Sequence, residues 1–299
     1  MQNKFNLFFF YPLPRALTLI AIVACLLSLQ ARAEDKLDSS LGEKVVVVPS
    51  SRDPSVHFET TIFWPTAGVA ADAPLVLINH GTKGGSITQE RYRPLSPVRF
   101  FHQLGWPVVV PNRRAYSNST GQRVKVRGCD LKTYGLENAR DVDDVVDWLL
   151  TQEQFKSRKL VVVGQSTGGL TTMAYSSLAS NKAVAIINFH GGMHPNSAAD
   201  CLWDARLDAF SSYAKTSRPT SLWVYTANDH SSNPAYITRL HQIFMAGGGK
   251  AELVQLPDFE DDGHYLFGRK NGESIWQPLV RKYLQSMKLL PESDQAGRL

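Results

Sequence analysis

The stretch KLVVVGQSTGG, Lys159 to Gly169, decides how this chain folds. Leu160 to Val163 is an unbroken apolar run rich in β-branched valine, which suits a strand buried on both faces of a parallel sheet. The run stops at Gly164-Gln165-Ser166-Thr167-Gly168, a G-x-S-x-G pattern, and Leu170 to Ala179 continues as apolar and small residues at helical spacing. Strand, tight turn and helix is the context in which a serine of this pattern acquires a chemical role. The glycines let the backbone turn sharply and let neighbouring elements approach the serine. Ser166 is then presented at a helix N-terminus, where the dipole favours developing negative charge. A capping serine in a plain glycine-rich turn is the alternative; the valine run before and the helix after favour a nucleophile.

The same alternation extends in both directions. Lys44 to Val48 and Val56 to Trp64 read as an antiparallel pair, and Leu75 to Ile78 as a buried strand closed by Asn79-His80-Gly81-Thr82. Pro97 to Leu104 is helical, Val108 to Val110 extended, and Arg113 to Gly128 a polar, basic loop. Leu136, Ala139, Val142, Val145, Val146 and Leu149 recur at helical spacing and give an amphipathic helix ahead of the Leu160 strand. Ala183 to Asn188, Ser221 to Thr226 and Glu252 to Leu256 complete the strands, with helices over Tyr236 to Met245 and Ile275 to Met287. Leu202 to Tyr213 reads as a helix or a small lid. The pattern predicts an α/β fold: a mostly parallel eight-stranded sheet, an antiparallel N-terminal edge and helices on both faces. One such domain uses all of residues 34–299, with a disordered tail from about 291.

The net charge of +5 is weighted towards the first 33 residues, which hold Lys4, Arg15 and Arg32 and no acid. Setting those three aside leaves 29 basic against 27 acidic side chains, which gives no reason to expect nucleic acid as a partner. Ala16 to Leu29 is apolar apart from Thr18 and Ser28, and Ala31-Arg32-Ala33 is an A-x-A cleavage pattern. Residues 1–33 are therefore expected to be an export signal, too short to span a bilayer, with a periplasmic or secreted mature chain free of the membrane. The alternatives are an uncleaved anchor, since Phe5 to Tyr11 lengthens the apolar stretch, and lipidation at Cys25 within Ile22-Val23-Ala24-Cys25. The mature chain keeps Cys129 and Cys201, which in an exported protein invite a disulfide; two separate buried thiols are the alternative. Neither has a partner at metal-ligand spacing, and Gly191-Gly192 makes a helical metal pair of His190 and His194 a poor reading.

A serine hydroxyl needs a base to take its proton and a third group to orient that base. In an open parallel sheet such groups collect at the carboxyl ends of the strands. Asp229 follows the Ser221 strand, and His264 follows the Glu252 strand in Asp261-Asp262-Gly263-His264. His230, His190 and His194 are the competing histidines, and Glu260, Asp261 and Asp262 the competing acids. The order Ser166, Asp229, His264, each after a different strand, matches the order of α/β-hydrolases.

On Asn79-His80-Gly81-Thr82, Gly164 to Gly168, Tyr225-Thr226-Ala227-Asn228-Asp229 and Asp262-Gly263-His264, the chain resembles the α/β-hydrolase family over nearly all of its mature length. Within that family it resembles the serine esterases related to dienelactone hydrolases. Those hydrolases use a cysteine where this chain has Ser166, so their substrate does not carry over. The resemblance implies that Ser166 attacks an acyl carbonyl, that His264 serves as base and then acid, and that Asp229 holds the imidazole. The oxyanion is expected to meet the N–H of Thr167 and that of Thr82, with Gly81 the next choice. His190, Arg114 and Trp203 are candidates for the substrate pocket, and Phe210 and Tyr213 for its wall or for ordinary core. Arg113 and Arg114 meet an acidic substrate group or, in the preferred reading, brace loops. The expected activity is hydrolysis of small carboxylic esters by an acyl-enzyme route, with no metal or organic cofactor. An amidase or peptidase on the same trio, or an inactive binding protein on this fold, are the alternatives.

Overall fold

The computed structural model describes residues 36–82, 89–195 and 200–291. The expected leader over 1–33 and the tail beyond 291 lie outside the described residues.

Among the described residues eight strands form one sheet, in the order β1-β2-β4-β3-β5-β6-β7-β8. They are β1 (Glu43–Pro49), β2 (His57–Phe63), β3 (Leu75–Asn79), β4 (Val108–Pro111), β5 (Leu160–Gln165), β6 (Ala183–Phe189), β7 (Ser221–Thr226) and β8 (Ala251–Leu256). β1 pairs antiparallel with β2, and β2 antiparallel with β4; every pairing from β4 through β3 to β8 is parallel. The expected antiparallel N-terminal edge and parallel body are both present.

Alternate residues of each central strand feed opposite faces, as strand pleating requires. Leu160 and Val162 of β5 join one core, with Leu75, Leu77, Ile186 and Trp223. Val161 and Val163 join the other, with Val76, Ile78, Ile187 and Val224. The first core is covered by α2 (Leu131–Thr151), α3 (Thr167–Ser176), α4 (Leu202–Ala214) and α5 (Pro234–Ala246). The second is covered by α1 (Leu95–Gln103) and α6 (Glu273–Ser286), whose Phe100, Phe101, Trp276 and Leu284 are buried against it. Apolar runs buried on both sides explain why the central strands read as continuous valine and isoleucine rather than alternating.

Two helices start earlier than the sequence reading placed them, and a third element is decided between its two readings. α2 begins at Leu131, more than a turn before Leu136, because the Asp130 side chain accepts the Thr133 N–H at 2.9 Å and caps it. α3 begins at Thr167, directly after Ser166. Leu202–Ala214 is a helix of 13 residues, not a lid, and its Phe210 and Tyr213 are fully buried. Phe210 packs edge-to-face on Trp223 with centroids 5.2 Å apart, so these two aromatics are core and not pocket wall. Cys129 and Cys201 are joined in a disulfide, with Cα atoms 6.0 Å apart. The bridge ties the start of α2 to the start of α4. Closing a separation of 72 residues stabilises by about 4 kcal/mol in the chain-entropy account.

Candidate active site

β5 ends at Gln165, and Ser166 follows it with φ 57° and ψ −128°. A non-glycine residue held there is strained and persists only where its surroundings over-determine it. They do so here: Ser166 N–H donates to Phe189 O at 3.0 Å, and Ser166 O accepts from Gly192 N–H at 3.0 Å and Leu170 N–H at 3.1 Å. The side chain is half-buried, and its Oγ makes no hydrogen bond among the described residues.

β7 ends at Thr226, and Asp229 sits buried in the turn that follows. Its carboxylate accepts from Ser231 N–H at 2.8 Å, Ser232 Oγ at 3.0 Å and His264 Nδ1 at 2.9 Å. Burial pushes its pKa up, but the His264 bond and its neighbours outweigh this and hold it at about 2. An ionised carboxylate only accepts, so His264 Nδ1 carries a proton and donates it to Asp229. The His264 N–H donates to Asp262 Oδ1 at 3.0 Å, and its carbonyl accepts from Gln165 Nε2 at 2.7 Å. Gln165 adjoins Ser166, so this last bond ties the His264 backbone to the residue before the serine.

The loop after β3 lies across the same edge. A Cβ on Gly81 would stand 3.0 Å from Ser166 Cβ and 3.6 Å from its Oγ. The Thr82 and Thr167 hydroxyls meet at 2.8 Å, and among the described residues neither backbone N–H has an acceptor. Two free N–H groups beside a serine hydroxyl are what a developing oxyanion requires. His80, fully buried, supports the loop: its Nε2 accepts the Arg113 N–H at 3.0 Å, and its Nδ1 donates to Gly81 O at 2.7 Å. Burial lowers its pKa to about 3, which keeps the ring neutral as this bonding demands.

The structure therefore brings Ser166, Asp229, His264, Gly81, Thr82 and Thr167 to one sheet edge. The expected pocket residues fare differently. Arg114 donates through Nε to Asp141 Oδ2 at 2.7 Å and through Nη2 to Asp141 Oδ1, so its guanidinium braces α2. His190 is buried beside His264, ring centroids 5.6 Å apart, with Nε2 accepting the Thr226 N–H at 3.1 Å. Burial lowers its pKa to about 4. Trp203 packs edge-to-face on Tyr236 with centroids 4.7 Å apart. Sequence reasoning missed His80, Gln165 and Asp262 as supports; only the position of each beside a candidate residue in the chain pointed to it. Among the described residues no three metal-ligating side chains are grouped.

The family model of the alpha/beta hydrolase fold matches residues 74–216. The chain is thus an α/β-hydrolase-fold protein. It is similar in structure to esterase Pf2001 of Pyrococcus furiosus, at 14% identity and TM-score 0.61, covering 83% of this chain and 91% of that one. A candidate dienelactone hydrolase of Klebsiella pneumoniae is similar at 16% identity and TM-score 0.58, over 81% of this chain and 98% of the other. The acylaminoacyl peptidase of Pyrococcus horikoshii is similar at 15% identity and TM-score 0.61; 84% of this chain is covered but 42% of the peptidase. No curated protein matches the chain in sequence.

Proposed function

We propose that this chain is an exported serine hydrolase that cleaves carboxylic esters of small molecules through an acyl-enzyme. One observation carries the reading: an ionised Asp229 holds His264 Nδ1–H at 2.9 Å at the sheet edge where Ser166 is fixed at φ 57°. In the proposed reaction Ser166 Oγ attacks the acyl carbon while His264 Nε2 takes its proton. The carbonyl π pair moves onto oxygen, facing the free N–H groups of Thr82 and Thr167. Collapse expels the alkoxide, which takes the proton from His264. Water then repeats the sequence on the acyl-serine, with His264 again base and then acid, and Asp229 stabilising the imidazolium throughout. The missing Ser166–His264 bond is consistent with a resting site, where such contacts tighten only with substrate.

The Cys129–Cys201 bridge and the A-x-A pattern at Ala31-Arg32-Ala33 support export, because disulfides persist in oxidising compartments. A mature protein whose first residue is Glu34 is the expected product.

The test is direct. Purified protein is expected to hydrolyse short p-nitrophenyl esters and to be labelled at Ser166 by a fluorophosphonate in the native state only. Ser166→Ala should remove both. Turnover unchanged in that variant would rule the serine out. Absence of labelling in the native protein would favour a binding role on this fold. A matched anilide series separates esterase from amidase, since the same trio serves both bonds.

A further inference from the structure

We propose that Arg113 is a positioning residue for the oxyanion site, a buried guanidinium that holds Thr82 and Thr167 in register and places uncompensated positive charge behind their N–H groups. The inference rests on the acyl-transfer reading of the site.

Arg113 follows β4 and is buried. Its backbone N–H is taken by His80, which fixes where the side chain starts. Nη2 donates to Thr82 Oγ1 at 3.1 Å and to Thr167 Oγ1 at 3.0 Å, and these two hydroxyls are 2.8 Å apart. One nitrogen thus closes a triangle between the loop after β3 and the first residue of α3. Nη1 donates to Tyr134 OH at 3.2 Å, and the guanidinium lies 5.1 Å from the Tyr116 ring centroid. These side-chain partners are all neutral, and Arg113 forms no ion pair among the described residues. Its neighbour Arg114 is paired with Asp141, so a carboxylate partner was within reach of the adjacent position.

A buried cation without a counter-ion is costly unless its charge is used. A neutral substrate carbonyl gains little from it, whereas an oxyanion gains from both the charge and the fixed donors. The effect therefore falls on turnover and spares ground-state binding. Lysine keeps the charge but lacks the planar fork that holds Tyr134 through one nitrogen and the two threonines through the other.

The experiment is ester kinetics on Arg113→Met, Arg113→Lys and the pair Thr82→Val with Thr167→Val, with thermal unfolding to establish that each is folded. For Arg113→Met, kcat is expected to fall about 10²-fold while KM stays within about threefold. Arg113→Lys should recover part of the loss, and Arg113→Met on the Thr-to-Val background should cost less than on the wild type. A trifluoromethyl ketone, which forms an oxyanion on Ser166, should lose affinity in parallel with kcat/KM. A folded Arg113→Met or threonine-pair variant with kcat within threefold of wild type overturns the proposal. So does a rise in KM with kcat retained, which would make Arg113 a substrate-binding group. If Arg113→Met does not fold, the threonine pair decides by the same criteria. A wild type that neither labels at Ser166 nor turns over esters removes the reading beneath, and is recognised by the missing label.

Discussion

At the scale of the residue, Ser166, the proposed nucleophile, sits in a strained backbone conformation. Any side chain at φ 57° and ψ −128° carries that strain, and glycine does not. Ser166→Gly is therefore expected to be more stable than Ser166→Ala by about 1 kcal/mol in urea unfolding, although both lack the hydroxyl. Equal stabilities would show that the turn is relaxed. The serine turn and the meeting of Asp229 with His264 were legible because each of the three residues follows a strand. Arg113 and Arg114 were not separable, since they are chemically identical and adjacent. Both lie in the loop after β4, which ends at Pro111, and the loop's path sends the two side chains to different partners. One guanidinium reaches Thr82 and Thr167 beside Ser166, the other Asp141 on α2. No reading of residue types anticipates which does which.

At the scale of the element, contact between β3, β5 and α3 depends on missing side chains. A Cβ on Gly168 would lie 2.2 Å from Asn79 O, and one on Gly164 would lie 2.3 Å from Gly168 O. Backbone cannot give way as a flexible side chain can. Gly168→Ala is expected to cost about 3 kcal/mol and to lower turnover by displacing the Thr167 N–H. Gly268→Ala, whose Cβ would meet nothing within 4 Å, should stay within about 0.5 kcal/mol of wild type. Denaturant midpoints for the two variants check this, and a tolerated Gly168→Ala would mean that α3 slides freely on the sheet. Helices and strands themselves were readable from periodicity. Their starts were less so: the polar first turn of α2 hides its onset at Leu131, and only the Asp130 cap marks it. Whether Leu202–Ala214 was lid or core could not be read either, because Phe210 and Tyr213 suit both until the facing Trp223 is known.

At the scale of the whole molecule, the fold buries two neutral histidines, His80 and His190, and this ties stability to pH. Burial lowers them to about 3 and about 4 from the 6.5 of an exposed imidazole. The unfolded chain takes up protons at both as pH falls through 6.5, while the folded chain takes them only near 4 and 3. Their contribution is thus complete above pH 6.5 and is lost as pH drops from there. At pH 5 unfolding should bind about two protons at these sites, so stability falls by about 2 to 3 kcal/mol per pH unit. Asp141 and Asp143, which burial pushes above the ordinary carboxylate range, offset part of this at the lower end. Urea midpoints at pH 7, 6 and 5 test the slope, and His190→Gln should reduce the uptake by about one proton. A midpoint flat across that range would contradict the burial of both rings. By itself, the order of residues along this chain determined the alternation of strands and helices, the serine turn after β5 and the three groups offered at strand ends. Those features depend on local periodicity and on neighbours within a few positions. Only the tertiary structure decided that Arg113 meets the Thr82 and Thr167 hydroxyls while Arg114 braces a helix, that His190 lies buried beside His264, and that Cys129 meets Cys201. These facts depend on which segments, remote in the chain, are pressed together when the two faces of the sheet are covered.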